Sequence, residues 1–316
     1  MYRNKPIDLG NRIHLIDGFD LNRPGRTGTY VLDEEQLTLI ETGPSPSVPF
    51  VLAGLKDLGH DLSDIKYIIL THIHLDHAGG AGLFLKDCPN AKVIVHPRGK
   101  RHLADPSKLI AGARQVYGDQ FDELFDPIVP IPEERLITKE DGDTLTIGPD
   151  CTLTFYDSPG HAKHHFGIHD SVSNGIFTGD TSGVRYHQTQ DHGLTFYLPT
   201  TSPNQFDPEA MLHSIARFRE LKADRVYFGH FGESTDPEAV YEQVSEWIPQ
   251  FVEAGEQALS QGEGVEGIAK RLHSKVSSYL QTQNIPDDHD VYDILKLDFE
   301  VCAMGLADYL KKRNNK

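Results

Sequence analysis

Apolar runs separated by polar and glycine-containing turns dominate the first part of the chain. Their β-branched and aromatic residues are typical of strands. We predict strands at residues 13–17, 28–32, 36–40, 64–70 and 92–95. Residues 48–58 instead repeat apolar positions at helical spacing, which predicts a helix.

Helical spacing interrupts the strands at residues 97–135. Within this stretch we predict helices at 98–109 and 111–125, and strands resume at 143–157. Asp207 and Pro208 are typical of the N-cap and first position of another helix.

After residue 232 the pattern is helical. A capping box at residues 235–238 predicts the start of one helix, with a kink at Pro249. Residues 264–281 and 290–312 predict two more.

Four side chains that can bind a metal lie within six positions directly after the apolar run 67–70. They are His72, His74, Asp76 and His77. Imidazole and carboxylate suit zinc and similar metals. In an extended segment His72 and His74 point to the same side. Because a closed structural zinc site needs only four protein ligands, this cluster and the candidates downstream favour a catalytic metal centre.

Three further candidate ligands follow strand-like runs, and a glycine precedes each of them. His161 follows the run 151–157, Asp180 follows 175–178, and His230 ends the run 225–230. Loops on a rigid sheet are where catalytic groups are usually placed. These residues therefore extend the predicted metal centre.

These motifs resemble the metallo-β-lactamase superfamily of metallohydrolases, in particular its glyoxalase II-like branch. The resemblance rests on residues 71–80, 158–161, 178–180 and 229–230, which follow the family's order. It implies an α/β fold, the αββα metallo-β-lactamase sandwich with a C-terminal helical extension. The catalytic domain would span residues 1–232, and the extension, residues 233–316, would pack on it.

The resemblance also implies the ligands of a two-metal site. His72, His74 and His161 would hold one ion. Asp76, His77 and His230 would hold the second ion. Asp180 would bridge the two ions, and Asp76 and Asp180 are the predicted catalytic residues.

Two departures from the family pattern concern residues around the ligands. The family's Gly-His-Thr-x-Gly-His is replaced here by Gly160-His161-Ala162-Lys163-His164-His165. Glu41 stands where the family commonly has aspartate before Thr-Gly. We expect Glu41 to support the ligands through hydrogen bonds. His165 has two interpretations, an orienting partner of a ligand or a packing residue.

The segment 182–203 directly follows Asp180 and is the predicted substrate-facing loop. Arg185, Tyr186 and Tyr197 are its candidate substrate contacts. The alternative is a solvent-exposed hairpin that does not contact substrate. Ten further histidines lack motif context, and we interpret all of them, including His192 and His289, as structural or surface residues.

Composition limits the partners that we expect. The net charge of -17 and the absence of a basic face argue against nucleic acid. No apolar run has the length of a signal peptide or a membrane span, and the three cysteines are widely separated. We therefore expect a cytoplasmic protein with a small-molecule substrate and no membrane partner. The helical tail could also form a homodimer contact.

The predicted chemistry is hydrolysis with two divalent ions, zinc first, with Mn²⁺ or Fe²⁺ as alternatives. Two such ions lower the pKa of a bridging water toward ~7 and supply hydroxide. Asp76 could orient that water or carry its proton. The expected substrate has an ester-like bond, as in a thioester, a lactone or a small ester. The alternatives are a small-molecule phosphodiesterase, an iron-dependent sulfur dioxygenase and a non-catalytic metal-binding protein.

Overall fold

The computed structural model describes residues 5–315 of the chain. The strands are β1 (Ile7–Asp8), β2 (Ile13–Asp17), β3 (Gly28–Leu32), β4 (Thr38–Ile40), β5 (Tyr67–Ile69), β6 (Lys92–Val95), β7 (Leu136–Thr138), β8 (Thr144–Gly148), β9 (Cys151–Asp157), β10 (Phe166–Asp170), β11 (Gly175–Gly179), β12 (Val184–Arg185), β13 (Tyr197–Leu198), β14 (Arg225–Phe228) and β15 (Glu233–Ser234). The α-helices are α1 (Val48–Leu58), α2 (Leu75–Ala78), α3 (Ala81–Phe84), α4 (Pro97–Ala104), α5 (Ser107–Tyr117), α6 (Phe121–Phe125), α7 (Pro208–Glu220), α8 (Pro237–Ser260), α9 (Gly264–Thr282) and α10 (Val291–Asn314).

The described residues form two compact units. The first contains the chain up to Asp157 together with His164–Gly179 and Ala223–Thr235. The second contains Ser158–Lys163, Asp180–Lys222 and the chain from Asp236 onward. The predicted boundary at residue 232 lies close to the last of these divisions, but the second unit also takes in two earlier segments.

Two sheets form the first unit. One has seven strands in the order β1-β2-β3-β4-β5-β6-β7, antiparallel up to β4 and parallel from β4 to β7. The other has six strands in the order β15-β14-β11-β10-β9-β8, and β11 and β14 are its parallel pair. The parallel pairs place the carboxyl ends of β4 and β5 side by side, and likewise those of β11 and β14.

An apolar layer lies between the two sheets. It includes Tyr30 of one sheet and Phe177 and Tyr227 of the other, all at most 1% exposed. The Phe177 and Tyr227 rings stack with centroids 4.5 Å apart. On the opposite face of the seven-stranded sheet, Val51 and Leu55 of α1 pack in a second apolar layer, as α1's apolar spacing predicts.

Helix boundaries in the 97–125 stretch differ from the prediction. The predicted helix at 98–109 is interrupted, because α4 ends at Ala104 and α5 begins at Ser107. Asp105 precedes Pro106 and has an extended backbone, as the ring of a following proline favours. The predicted helix at 111–125 is interrupted as well, by a 3₁₀ turn at Gly118–Gln120.

Helices make up most of the second unit, together with the two-stranded pair β12-β13. The predicted N-cap Asp207 is confirmed, because its Oδ1 atom accepts the N–H of Ala210 at 3.1 Å. The N-cap of α8 is Asp236, one residue after the start of the predicted capping box, and Pro249 lies inside this helix. Trp247 and Tyr279 pack edge to face with centroids 5.4 Å apart. Among the described residues, no helix combines the length and apolarity that crossing a membrane requires.

A buried ion pair joins β10 to the start of β2, and breaking it should destabilise the protein. Asp170 is fully buried and accepts hydrogen bonds from Arg12 at 2.6 and 3.1 Å and from the N–H of Ser173 at 2.9 Å. We expect Asp170→Ala to lower the free energy of unfolding by about 3 kcal/mol, because it removes a buried carboxylate that pairs with the half-buried Arg12 and leaves Glu34 as the remaining carboxylate beside that charge. Urea unfolding at neutral pH measures the change, with the exposed Asp57→Ala as the control.

The same pair gives a pH dependence. Burial alone would raise the pKa of Asp170, but hydrogen bonds from Arg12 and Ser173 outweigh burial and hold this pKa below its ordinary value of 3.8. A lowered folded pKa stabilises the protein above the ordinary value, and this stabilisation is lost as the pH falls through the folded pKa. The stability difference between wild type and Asp170→Ala should therefore shrink below about pH 4. A difference that is constant down to pH 2 would contradict this assignment.

Candidate metal centre

The four-residue ligand cluster of the first unit follows β5, which is hydrogen-bonded between β4 and β6. After β5 the chain stays non-helical to His74, whose extended backbone (φ -63°, ψ 148°) precedes α2. Asp76 lies in the first turn of α2, where a carboxylate is favoured by the helix dipole. One short helical turn therefore presents Asp76 and His77 immediately after His72 and His74.

The imidazole rings of this unit lie close together. The His72 centroid is 4.6 Å from that of His74 and 4.2 Å from that of His77. His230, which follows β14, has its centroid 5.2 Å from that of His77. The structure therefore brings together the four predicted histidine ligands that lie in the first unit.

Asp76 completes a three-ligand group. Its Oδ2 atom is 3.5 Å from Nε2 of His77 and 3.6 Å from Nε2 of His230. The group offers three ligand atoms that lie within 4.8 Å of one another. Its one carboxylate and two imidazoles match the donor chemistry of zinc and of other divalent transition ions.

Glu41 contacts residues of the cluster that contains His72 and His77. Its Oε1 atom accepts hydrogen bonds from the N–H of Thr71 at 3.1 Å and from the Thr71 hydroxyl. Its Oε2 atom is 3.7 Å from Nδ1 of His77. Glu41 is 1% exposed and has a left-handed backbone (φ 64°), which is rare outside glycine, asparagine and aspartate. Such strain persists where the surroundings hold a residue in place, as these contacts do here.

His165 and His164 belong to the same packed group. The His165 ring stacks on the His72 ring, with centroids 4.8 Å apart. The His164 ring is nearly parallel to the same His72 ring, with centroids 6.3 Å apart. Gly179 has a left-handed backbone, and a Cβ atom there would lie 2.4 Å from Nε2 of His165. Glycine at the end of β11 therefore leaves the space that His165 occupies.

The other two predicted ligands, His161 and Asp180, lie in the second unit. Both are at most 2% exposed, and Nε2 of His161 is 3.5 Å from Oδ2 of Asp180. The Nδ1 atom of His161 is 3.2 Å from the carbonyl oxygen of Thr200. Since a carbonyl only accepts, Nδ1 carries a proton, and in the neutral ring this leaves the lone pair on Nε2.

The candidate substrate contacts of the 182–203 segment are mostly buried within the second unit. The Tyr186 hydroxyl donates to Oδ2 of Asp298 on α10 at 2.9 Å. Tyr197, on β13, is 1% exposed, and Arg185 on β12 is half-buried. A role for these three residues in binding substrate stays a prediction.

Asp20 is a neighbour of the centre that the sequence did not indicate. It is 8% exposed, and Arg26 Nε lies 3.7 Å from its Oδ2 atom. Burial raises the pKa of Asp20, and the Asp76 carboxylate adds to this, while Arg26 and His230 act in the opposite direction. The loop has left-handed residues at Phe19 and Leu21. Asp20 lies three residues after the end of β2. Its position near a strand end was the feature of the sequence that could have marked it as a candidate site residue.

Comparisons with known proteins show which family the chain resembles in sequence and fold. A sequence profile described as Metallo-beta-lactamase superfamily matches residues 23–230. The chain is 30% identical over 224 residues to the metallo-beta-lactamase fold-containing protein ST1585 of Sulfurisphaera tokodaii, covering 70% of this chain and 78% of the relative. It is 36% identical over 190 residues to the N-acyl homoserine lactonase AttM of Azorhizobium caulinodans, covering 60% of this chain and 64% of the lactonase, somewhat less than two thirds of its length.

A solved structure extends the likeness of fold to nearly the whole chain. The metallo-beta-lactamase family protein TTHA1429 of Thermus thermophilus superposes with a TM-score of 0.67 at 19% identity, covering 97% of this chain and 95% of that one. The predicted α/β metallo-β-lactamase fold with a helical C-terminal part is confirmed. Members of this superfamily are metal-dependent hydrolases that use divalent ions, typically zinc. The chain belongs to the metallo-β-lactamase superfamily.

Proposed function

We propose that this protein is a binuclear metal-dependent hydrolase of an ester-like bond, with a lactone as its first-choice substrate class. Its ligands would be those that the family resemblance implies: His72, His74 and His161 for one ion, Asp76, His77 and His230 for the other, and Asp180 for both. Zinc is the first-choice metal, with manganese and iron as alternatives.

The orientation of the candidate ligands carries this proposal. The single hydroxyl proton of Thr71 is donated to Glu41, so the Thr71 oxygen, 3.0 Å from Nδ1 of His72, accepts from that nitrogen. His72 therefore has its lone pair on Nε2, as His161 does through Thr200. Hydrogen bonding at one ring nitrogen to orient the other toward a metal is the usual arrangement of metal-binding histidines.

When bound, the two ions would supply hydroxide at neutral pH and polarise the carbonyl under attack. The chain's own residues have separate tasks. Glu41 and Thr71 hold His72 in one tautomer and orientation. The Asp76 side chain, 27% exposed, is reachable from solvent and would accept the proton that the water loses.

The choice of a lactone rests on the relatives and on charge. Several curated relatives at 27–36% identity are N-acyl homoserine lactonases. A neutral lactone ring is not repelled by a chain of net charge -17, whereas an anionic thioester such as a glutathione derivative would be. The motifs resemble those of the glyoxalase II-like branch, and thioesters are therefore the second substrate class.

A substrate panel tests the proposal. Protein loaded with zinc or manganese would be assayed for proton release from N-acyl lactones, thioesters, small esters, β-lactams and small phosphodiesters, beside an Asp180→Ala variant. We expect lactones to be opened by the wild type and not by the variant. Turnover of phosphodiesters alone would replace the proposal with a phosphodiesterase. Bound iron with oxygen consumption on a persulfide would replace it with a dioxygenase.

Glu41→Gln should weaken metal binding while leaving the fold intact. The amide removes the negative charge beside Thr71 and His77, and losing such a partner typically lowers metal affinity by about 10–100-fold. Competition with a fluorescent chelator measures the affinity, and the exposed Glu35→Gln is the matched control. Equal affinities in the wild type and both variants would remove Glu41 from this role.

A further inference from the structure

A second group of metal-binding side chains lies in the second unit, and none of its members is among the seven predicted ligands. Asp191 and His192 end the 3₁₀ segment His187–His192, and His289 lies just before α10. Nε2 of His289 is 3.1 Å from Oδ1 of Asp191, and Nε2 of His192 is 3.9 Å from the same atom. Asp191 and His289 are 98 positions apart in the chain, so no local sequence pattern connects them.

The spacing of these atoms fits one small ion. The group offers three ligand atoms within 4.8 Å of one another. Ligands about 2.0–2.1 Å from a tetrahedral zinc lie roughly 3.3 Å from each other, which is within the range of the two measured separations. Two imidazoles and one carboxylate fill three positions and leave the fourth to water.

The surrounding charge favours a cation. Asp287, Asp288, Asp290 and Asp293 flank His289 in the sequence, in a chain of net charge -17. Clustered carboxylates raise the local concentration of cations. The His289 side chain is only 8% exposed, whereas those of Asp191 and His192 are 61% and 38% exposed, so the group is open on one side and supported on the other.

An ion bound to His289 would have to replace hydrogen bonds that this side chain already makes. The N–H of Val291 donates to Nδ1 of His289 at 3.1 Å, so neutral His289 has its proton on Nε2 and donates it to Asp191. A metal on Nε2 would shift that proton to Nδ1 and remove the Val291 hydrogen bond. The ion would therefore bind more weakly here than at a closed structural zinc site.

We propose that Asp191, His192 and His289 form an auxiliary site for a divalent transition ion, with zinc as the first choice. The ion would join the 187–192 segment to the start of α10. Tyr186 already connects the neighbouring part of this segment to α10 through Asp298. A bound ion would add a second connection and stabilise the segment that follows Asp180. This proposal stands independently of the catalytic one.

Zinc titration of the full-length protein tests the site. Zinc would be titrated calorimetrically into wild type, Asp191→Asn and His192→Ala, and bound metal would be counted by mass spectrometry after equilibrium dialysis against buffer that contains micromolar zinc. The exposed His213→Ala is the control for non-specific binding to surface histidines. Asp191 and His192 are exposed, so their variants should fold normally.

We expect wild type and His213→Ala to bind one zinc more per chain than Asp191→Asn and His192→Ala, in the weakest phase of the titration. Micromolar zinc should also raise the unfolding temperature of wild type and His213→Ala above that of the other two. Equal metal counts in all four proteins would overturn the proposal. So would a loss in His213→Ala as large as in His192→Ala, which would identify surface binding only.

Discussion

Replacing His72 with alanine is expected to abolish hydrolysis and to remove one bound metal ion. His72 is fully buried, and its Nε2 atom is oriented by the Thr71–Glu41 hydrogen bonds. A catalytic ion contributes several kcal/mol to the transition state, so its loss lowers kcat/KM by about a thousandfold or more. Steady-state kinetics on the substrate that the panel identifies, together with metal analysis, measure both effects.

The control for this variant is His169→Ala. His169 lies half-buried on β10, where it hydrogen-bonds to Asn174 at 3.0 Å. This variant shows how the loss of a histidine outside the metal centre affects the stability of the fold and the rate of hydrolysis. A His72→Ala protein that kept its metal content and its rate would exclude His72 as a ligand.

Gly160→Ala should have the second largest effect, because no side chain fits at this position. Gly160 has φ 140°, and a Cβ atom there would lie 2.3 Å from Cα and 2.4 Å from N of Met211. The segment would have to move away from α7, and His161 would move with it. We expect a loss of about 3 kcal/mol in the free energy of unfolding, from overpacking and backbone strain together, and a large loss of activity.

Gly142→Ala separates the two causes. Gly142 also has a positive φ, but nothing lies within 4 Å of its Cβ position. Denaturant unfolding should show a smaller loss for this variant, and its activity should match that of the wild type. Equal losses in the free energy of unfolding of the two variants would show that the contact with Met211 does not contribute to the destabilisation.

Local sequence patterns predicted the parts of the fold that depend on near neighbours in the chain. The strands at 13–17 and 28–32 and the helix at 48–58 have the predicted bounds, because alternation and helical spacing are local signals. The helices at 98–109 and 111–125 were predicted too long. The competing local signals, proline at position 106 and glycine at position 118, determined the breaks.

The residues of the candidate site also differ in how far local sequence could predict them. The four-residue cluster 72–77 could be predicted because its members are close in sequence. His230 was a candidate because it ends a strand-like run, and the resemblance assigned it to one ion with Asp76 and His77, beside which the structure places it. Asp20, and the group around His289, could not be predicted. Asp20 lies near the end of a strand, but its neighbours, like those of His289, come from distant segments, and a single sequence does not show which distant segments meet.

Metal reconstitution with a lactone assay tests the central claim most directly. Protein stripped with a chelator would receive zinc in steps while opening of an N-acyl lactone is followed by proton release, with Asp180→Ala treated in parallel. The proposed function predicts no activity without metal, full activity after two tightly bound ions, and an inactive variant throughout. Undiminished lactone opening by metal-free protein, or none by fully loaded protein, would contradict it.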